Sequence, residues 1–423
     1  MLDINFIRDN KDLVAEAAKR KGIDFDLNKL IEVDDRRRAV LSSVEEKRKE
    51  QNEFSEKIAK ETSSNLKVQY IEKMRSAKEA LQFEEEKLRE ALKEWHFLMV
   101  QVPNIPDVSV PDGVSEADNK QIREWGKKPT FDFSIKDHTE LMSGLNLADF
   151  ERGIKAAGFR GYFLSNEGFQ LSFALWSFVL DWFQKKGGFT SLLAPSLLRR
   201  EPFMGTGYLP QGEEDLYKTQ DGEFLSGTAE VATMSYFMDE VMPKDKLPMK
   251  FVAFSPCFRR EAGSHGRDTK GLVRVHEFYK VEQVVLCEAS HEESVKYHEE
   301  LTKNAEEIVQ TLKIPYRVVV NCGGDLGLGQ VKKYDIECWV PSEDKYRETH
   351  SSSYFHDFQT RRLNIRYKDS DGKMRFVHSL NNTALATPRF LVPLVENYQQ
   401  KDGSIKIPEV LVPYMGGKKE IKI

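Results

Sequence analysis

Between Phe254 and Glu282 the chain reads FSPCFRREAGSHGRDTKGLVRVHEFYKVE, and Arg259, Arg260, Arg267, Lys270 and Arg274 crowd a loop with glycines at 263, 266 and 271. A strand is expected to end at Phe258-Arg259 and a second to start near Leu272. Guanidinium groups carried on rigid strands suit bidentate contacts to phosphate or carboxylate oxygens. Phe278 offers a face on which a planar base can stack. Together these groups fit a polyanion with an aromatic ring, which describes a nucleotide. They also fit a solvated hairpin with surface ion pairs, and this stretch alone leaves both readings open.

Other chemistry-bearing residue types exclude more than they suggest. Cys257, Cys287, Cys322 and Cys338 form no Cys-x-x-Cys pair, which argues against a zinc knuckle or a disulfide framework. Such thiols suit a reducing cytoplasm. His138, His265 and His291 show no metal-ligand spacing. Gly323-Gly324-Asp325-Leu326-Gly327-Leu328-Gly329 is glycine-rich but lacks GxGxxG spacing and any following Gly-Lys-Ser/Thr. It reads as a turn between strands. No Ser-His-Asp or Cys-His set points to a protein nucleophile.

The elements that must position these residues fall into two regions. From Leu27 to Met99 there is no proline or glycine, and Glu, Lys and Arg are dense. Val33, Arg37, Val40, Val44, Lys47, Gln51, Phe54 and Ile58 step by threes and fours, a heptad seam. A second stripe runs Leu66, Tyr70, Met74, Ala77, Leu81, Glu84, Leu88, Leu92, Trp95, Met99. The polar turn Thr62-Ser63-Ser64-Asn65 between them forces an antiparallel pair, on the order of 50 Å long. A hairpin packed on the body, a dimerising coiled coil and a free arm all fit this pattern. In the last case Arg36-Arg37-Arg38 and Lys47-Arg48-Lys49 are candidates for RNA phosphates.

Pro103, Pro106, Pro111 and Gly113 then mark a linker. Beyond it, Met249 to Phe254, Val281 to Cys287, Tyr316 to Val320, Asp335 to Val340 and Leu363 to Tyr367 read as strands, and Ser290 to Leu312 as a helix. Many strands with few helices favour a mainly antiparallel sheet, so the fold class is α+β. The expected domains are 1–102, a helical arm, 103–126, a linker, and 127–423, the body. The 423 residues, 40% apolar and 31% charged, carry a net charge of -5, so any RNA contact must come from local basic patches. The opening MLDINFIRDN lacks a signal peptide's apolar stretch. The most apolar run, Leu171 to Leu180, is too short to span a bilayer, so no membrane partner is expected.

Phe258-Arg259-Arg260-Glu261, a loop, then Arg274-Val275-His276-Glu277-Phe278 resembles motif 2 of the class II aminoacyl-tRNA synthetases. Leu171 to Phe183 with Ser191 to Pro195 resembles the motif 1 dimer element, and Leu380 to Tyr398 with Arg389 resembles motif 3. The seryl branch is picked out by MLDINFIRDN, the helical hairpin, Thr228-Ala229-Glu230, Lys280-Val281-Glu282, Tyr334 to Glu337, Asp357 to Arg362 and Pro413 to Gly417. The matches cover essentially the whole chain in order, in the bacterial type.

The resemblance implies ATP-dependent charging of tRNA(Ser) with L-serine, through a seryl-adenylate, by a cytoplasmic homodimer that uses Mg²⁺ and also serylates tRNA(Sec) where present. It implies that Arg259 bridges the serine carboxylate and the α-phosphate, while Arg274 and Arg389 hold the outer phosphates and Phe278 stacks on adenine. Arg260, Glu261, Val275, Thr349 and His350 complete the implied ATP site, and Glu348 and Ser351 the implied Mg²⁺ ligands. Thr228, Ala229, Glu230, Glu282, Asn381 and Thr383 form the implied serine pocket with Arg259. The chain departs from the family where motif 3 has Thr383-Ala384-Leu385-Ala386-Thr387-Pro388 in place of a glycine-rich run, and where His350 replaces a common serine. His350 fits a loop hydrogen bond better than a catalytic role. A carrier-loading ligase of the same fold is expected to lack the arm, and an inactive RNA-binding relative to lack Arg259, Glu348 or Arg389. All of these are present.

Overall fold

The computed structural model describes residues 1–263, 266 and 268–422. His265 and Arg267, considered above, lie outside the described residues. The chain divides into two compact units, one of Leu2–Lys19 with Ile23–Pro103, the other of Met1, Arg20–Gly22 and Asn104 onward.

In the first unit, α1 (Ile4–Asp9) and α2 (Lys11–Arg20) precede two long helices, α3 (Leu27–Lys60) and α4 (Ser64–Met99). With no glycine or proline to break them, α3 and α4 run for 34 and 36 residues. Asp26 caps α3 by accepting from the Lys29 N–H, and the turn is Glu61–Ser63. Every expected seam position of α3 is buried or half-buried, Val33 and Val44 fully. On α4 the stripe holds at Ala77, Leu81 and Met99, but Leu66 and Leu92 are exposed, and Ala91 faces inward in place of Leu92.

The basic cluster of α3 is not a free cationic face. Arg37 and Arg38 reach the fully buried Asp34 at 2.8 and 2.9 Å, Arg8 joins them at 2.7 Å, and Arg36 pairs with Glu94. Arg48 likewise pairs with Glu85 at 2.7 Å. Acidic residues on the same and facing helices compete for these cations, which a one-dimensional charge run does not reveal.

The second unit is built on an eight-stranded sheet: β1 (Lys120–Trp125), β2 (Thr190–Leu193), β3 (Met249–Phe258), β4 (Glu277–Cys287), β5 (Tyr316–Val320), β6 (Lys332–Val340), β7 (Lys345–His356) and β8 (His378–Thr387). Their order is β1-β5-β6-β7-β8-β4-β3-β2, antiparallel throughout except where β2 runs parallel to β3. Helix α5 (Asn166–Lys186) buries Leu171, Leu175, Phe178 and Val179 in the core. Further on come α6 (Ala229–Ser235), α7 (His291–Thr311), α8 (Phe358–Arg362) and α9 (Leu391–Asn397). Ser290 caps α7, and its side chain accepts from the Glu293 N–H.

Three expectations change. The segment read as a linker contributes β1, because Lys120–Trp125 finds an open edge on β5. The strand expected from Leu363 to Tyr367 begins only at Arg366, where a three-residue strand, Arg366–Lys368, follows α8 and a short turn. The strand expected from Leu272 starts at Glu277, since side chains take the backbone groups a ladder would use. The Leu272 N–H donates to His138 Nε2 at 3.1 Å, and the Val273 carbonyl accepts from Arg389 Nε at 2.8 Å.

The outer face of α5 leaves Phe169 and Phe173 half-exposed over an apolar groove of 930 Å³, together with Trp176, Leu180 and Tyr279. No helix among the described residues is long and apolar enough to cross a membrane. All four cysteines are free and buried.

Candidate active site

A cavity of 530 Å³ opens on one face of the sheet. Strand alternation explains part of its lining. Phe278, Lys280 and Glu282 on β4, two residues apart, all face it, as do Asn381 and Thr383 on β8. In a regular strand Glu348 and Ser351, three apart, would point to opposite faces. Here β7 carries a bulge, since Glu337 pairs with Glu348 while its neighbour Ile336 pairs with His350. The extra residue, Thr349, restores Glu348, Ser351 and Ser353 to one face, and all three line the cavity. A second bulge lies beside it on β8, where Val281 and Glu282 pair with Leu385 and Thr383, so Ala384 is extra. Ala386 thereby also faces the cavity.

Cations gather at one end. Arg259 stands over the Phe278 ring, 5.3 Å from its centre, and its Nη2 donates to the Gly227 carbonyl at 3.4 Å. Arg389 is anchored on Val273 and lies 3.7 Å from Glu348. Burial pushes the Glu348 carboxyl up, but Arg389, Lys333, Arg259 and Arg274 outweigh it and hold it below its ordinary range. Glu348 and Ser351 are thus a carboxylate and a hydroxyl facing one space, hard oxygen donors of the kind Mg²⁺ accepts. Among the described residues no cluster of three His, Cys, Asp or Glu could hold a metal. An ion here would draw most ligands from substrate and water, as Mg²⁺ does with polyphosphates.

The other end is a polar pocket. Glu282 accepts from Thr383 Oγ1 at 3.2 Å and pairs with Lys280 at 2.7 Å. Glu230, fully enclosed, accepts from Tyr208 at 3.0 Å and from Gln359 Nε2 at 2.7 Å. Burial pushes its carboxyl up and the charge of Glu282 adds to this, while the Gln359 and Tyr208 hydrogen bonds pull back. A carboxylate so placed gains from a bound cation.

Of the residues singled out from sequence, the cavity brings together Arg259, Glu261, Val275, Phe278, Glu348, Thr349, Ser351 and Arg389 with Glu230, Glu282, Asn381 and Thr383. Five stand outside its lining. Arg260 is exposed, its N–H donating to the Asp215 carbonyl. Arg274 lies one shell back, 2.5 Å from Glu261. Thr228 caps α6 through the Glu230 N–H, and Ala229 is packed in a small apolar cluster. His350 points to the opposite face, where its Nδ1 is 2.8 Å from Thr349 Oγ1 and its ring meets Phe390. Burial pushes the His350 pKa down to about 4, so it stays neutral.

Sequence reasoning missed Lys280, Lys333, Tyr208, Gln359 and Gln330. Lys280 was accessible, because it shares the period of Phe278 and Glu282. Tyr208 and Gln359 had no local signal, since long-range packing alone brings them to Glu230.

The model of the tRNA synthetase class II core domain (G, H, P, S and T) matches residues 217–398, and that of the seryl-tRNA synthetase N-terminal domain matches residues 1–106. A serine–tRNA ligase of Deinococcus radiodurans is 46% identical over 419 residues, covering 99% of this chain and 98% of the relative. One of Exiguobacterium sibiricum is 44% identical over 427 residues, covering 100% of both. Among solved structures, the seryl-tRNA synthetase of Pyrococcus horikoshii complexed with ATP superposes with a TM-score of 0.90 at 38% identity, covering 100% of this chain and 99% of that one.

Proposed function

The chain belongs to the seryl-tRNA synthetase family and is a serine–tRNA ligase, and from this premise we propose how its own residues divide the work. ATP lies at the cationic end, with adenine between Phe278 and Arg389 and the phosphates near Arg259, Arg389 and, one shell back, Arg274. L-serine lies at the polar end, its ammonium toward Glu230 and its hydroxyl between Glu282 and Thr383. Glu348 and Ser351 would hold Mg²⁺, which supplies charge neutralisation at phosphate oxygens.

In the first step a serine carboxylate oxygen bonds to the α-phosphorus and pyrophosphate leaves. Arg259 is placed to neutralise charge as it develops there. In the second, the terminal ribose 3′-hydroxyl of tRNA(Ser) attacks the adenylate carbonyl, gives up its proton, and AMP leaves. Neither step needs a protein nucleophile, so positioning and electrostatics carry the rate.

The observation that carries this reading is the pairing of Glu282 with the Thr383 hydroxyl at the far end of the cavity that holds Arg259. A site whose buried polar groups need the substrate hydroxyl rejects the analogue lacking it by ~10⁴. ATP–pyrophosphate exchange with each amino acid in turn tests it. Serine alone should support strong exchange, and equal exchange with alanine or threonine would sink the pocket assignment.

The same reading assigns residues 1–102 to tRNA binding and 127–423 to catalysis, with charging of tRNA(Sec) where that tRNA exists. Transcripts of both tRNAs, charged side by side, test the second substrate. It also makes the protein a homodimer. Supporting this are the groove beside Phe169 and Phe173 and the fact that Thr387 and Pro388 line both groove and cavity. Apolar surface of this extent calls for a partner. Light scattering should give twice the chain's 48.8 kDa, and the monomer mass at working concentration would contradict it. The reduced, buried thiols suit a cytoplasmic setting.

A further inference from the structure

The glycine-rich stretch that reads as a plain turn does more than reverse the chain. Gly327, Leu328, Gly329 and Gln330 all line the cavity. The turn is closed by the Gln330 N–H donating to the Gly327 carbonyl at 3.1 Å. The Gln330 side chain closes it again, its Oε1 accepting from the Gly327 N–H at 2.6 Å while its Nε2 donates to Ser353 Oγ at 2.8 Å. Gly329 cannot carry a side chain, because a Cβ there would lie 2.5 Å from the Phe358 ring.

The turn runs from the exposed Gly327 to the buried Gly329, carbonyls shielded from water need partners, and two residues from far upstream donate to all four of its carbonyls. Lys21, buried and just beyond α2, donates from Nζ to the carbonyls of Gly327, Leu328 and Gln330 at 3.0, 2.9 and 2.6 Å. Three acceptors match the three protons of an ammonium, and they oppose burial, which pushes the Lys21 pKa well down. Asn104 takes the rest, its N–H reaching the Leu328 carbonyl at 2.9 Å and its Nδ2 the Gly329 carbonyl at 3.0 Å. The carbonyl side of the turn is thus fully engaged away from the cavity.

The sheet register shows which part of the cavity this turn bounds. Thr383 faces Glu282 across β8 and β4, and two residues back Asn381 faces Ser353 across β8 and β7. Ala386 and Phe278, at the cationic end, lie the other way along the same strands. Two strand residues advance about 7 Å, so Ser353 and Gln330 stand one row beyond the Glu282–Thr383 pair. They bound the cavity beyond that pair.

We infer that Lys21 is a positioning residue for amino-acid selection, holding the Gly327–Gln330 turn as the wall that limits the side chain accepted beside Glu282 and Thr383. The inference rests on the proposed placement of serine in that pocket. Lys21→Met keeps the apolar stem, removes one donor from each of the Gly327 and Leu328 carbonyls, and takes from the Gln330 carbonyl the donor it has in Lys21. It should raise the KM for serine in pyrophosphate exchange on the order of tenfold and raise threonine-dependent exchange relative to serine by a similar factor. The KM for ATP, and kcat per titrated active site, should change less than about twofold.

Gln330→Ala should act in the same direction from inside the wall. The double variant should fall well short of the product of the two, because both loosen one turn. A general loss of folding would lower Tm and the active fraction while leaving serine KM and the threonine ratio in place. That result in Lys21→Met would overturn the inference. If Lys21→Met does not fold, unchanged serine KM and threonine ratio in Gln330→Ala would overturn it instead. Wild-type protein that accepts alanine or threonine as well as serine would remove the underlying pocket reading, a distinct outcome read in the same assay.

Discussion

The helical hairpin and the sheet-borne cavity use charged residues in opposite ways. In the hairpin, ion pairs lie along one helix or across to its neighbour, and most are exposed, as with Arg48 and Glu85 or Lys60 and Glu56. Such pairs contribute about 0–1 kcal/mol each. Asp34, buried among Arg8, Arg37 and Arg38, is the exception at the base. In the cavity, Glu230 and Glu282 are buried and find the distant partners Gln359 and Thr383, while the equally buried Lys280 pairs with Glu282 on its own strand. Buried charges must be paired or they destabilise strongly, so here each partner matters. The hairpin therefore tolerates change at most charged positions, whereas the cavity does not.

The largest expected effect tests the cavity side. Arg259→Ala should lower kcat for pyrophosphate exchange on the order of 10³-fold, since its guanidinium is asked to act on the transition state. A wild-type kcat would remove Arg259 from the site. Next, replacing Leu27–Met99 with a short Gly/Ser linker should leave serine-dependent exchange within a few-fold, while charging of tRNA(Ser) falls on the order of a hundredfold or more. Loss of exchange together with unfolding would mean that the hairpin is a core element and that the two regions are not separable.

Thr383→Val keeps the shape and removes the hydroxyl that donates to Glu282, leaving a buried carboxylate with one donor fewer. Serine KM should rise on the order of tenfold. A KM unchanged within error would detach Thr383 from serine.

Acid should separate the regions more gently. His298, His350 and His356, all in the body, are held down to about 4 by burial. The unfolded chain takes up protons near 6.5, so their contribution to stability is complete above that pH and is lost as pH falls to about 4. A loss on the order of 3 kcal/mol per histidine is expected across the window. Four of the five tryptophans lie in the body, and the hairpin has one histidine, the exposed His96. Tryptophan emission should therefore change at higher pH than helical circular dichroism. Coincident transitions would mean that the regions unfold as one.

The smallest effect concerns Arg36, Arg37 and Arg38. Because they are committed to Asp34 and Glu94, replacing all three by Gln should leave the salt dependence of charging nearly unchanged and lower stability by about 1–3 kcal/mol. A flattened salt slope would show that RNA competes successfully for these arginines.

The hairpin was legible because its order is local: the three-four spacing of Val33 to Ile58 and the lack of glycine and proline specify two helices wherever they pack. Phe278 was legible from its residue type beside the clustered arginines, and Glu282 followed, with the other cavity residues of the motifs, from resemblance. Leu92 misled because a stripe read from spacing drifts over a long helix, and Ala91 took its place.

Tertiary structure decided what depends on neighbouring strands. Whether Glu348 and Ser351 share a face is settled by the bulge at Thr349, and a bulge exists only against a partner strand. Arg36 to Arg38 are engaged by acids that the sequence shows but cannot place. Lys21 and the turn at Gly327 lie 306 residues apart, and only folding joins them. Hydrophobic period acts within one element, so the sequence by itself specified helices, strands and the residue types for chemistry. Hydrogen bonds and ion pairs act across a few ångströms of space, so the choice of which side chains meet in the cavity belonged to the fold.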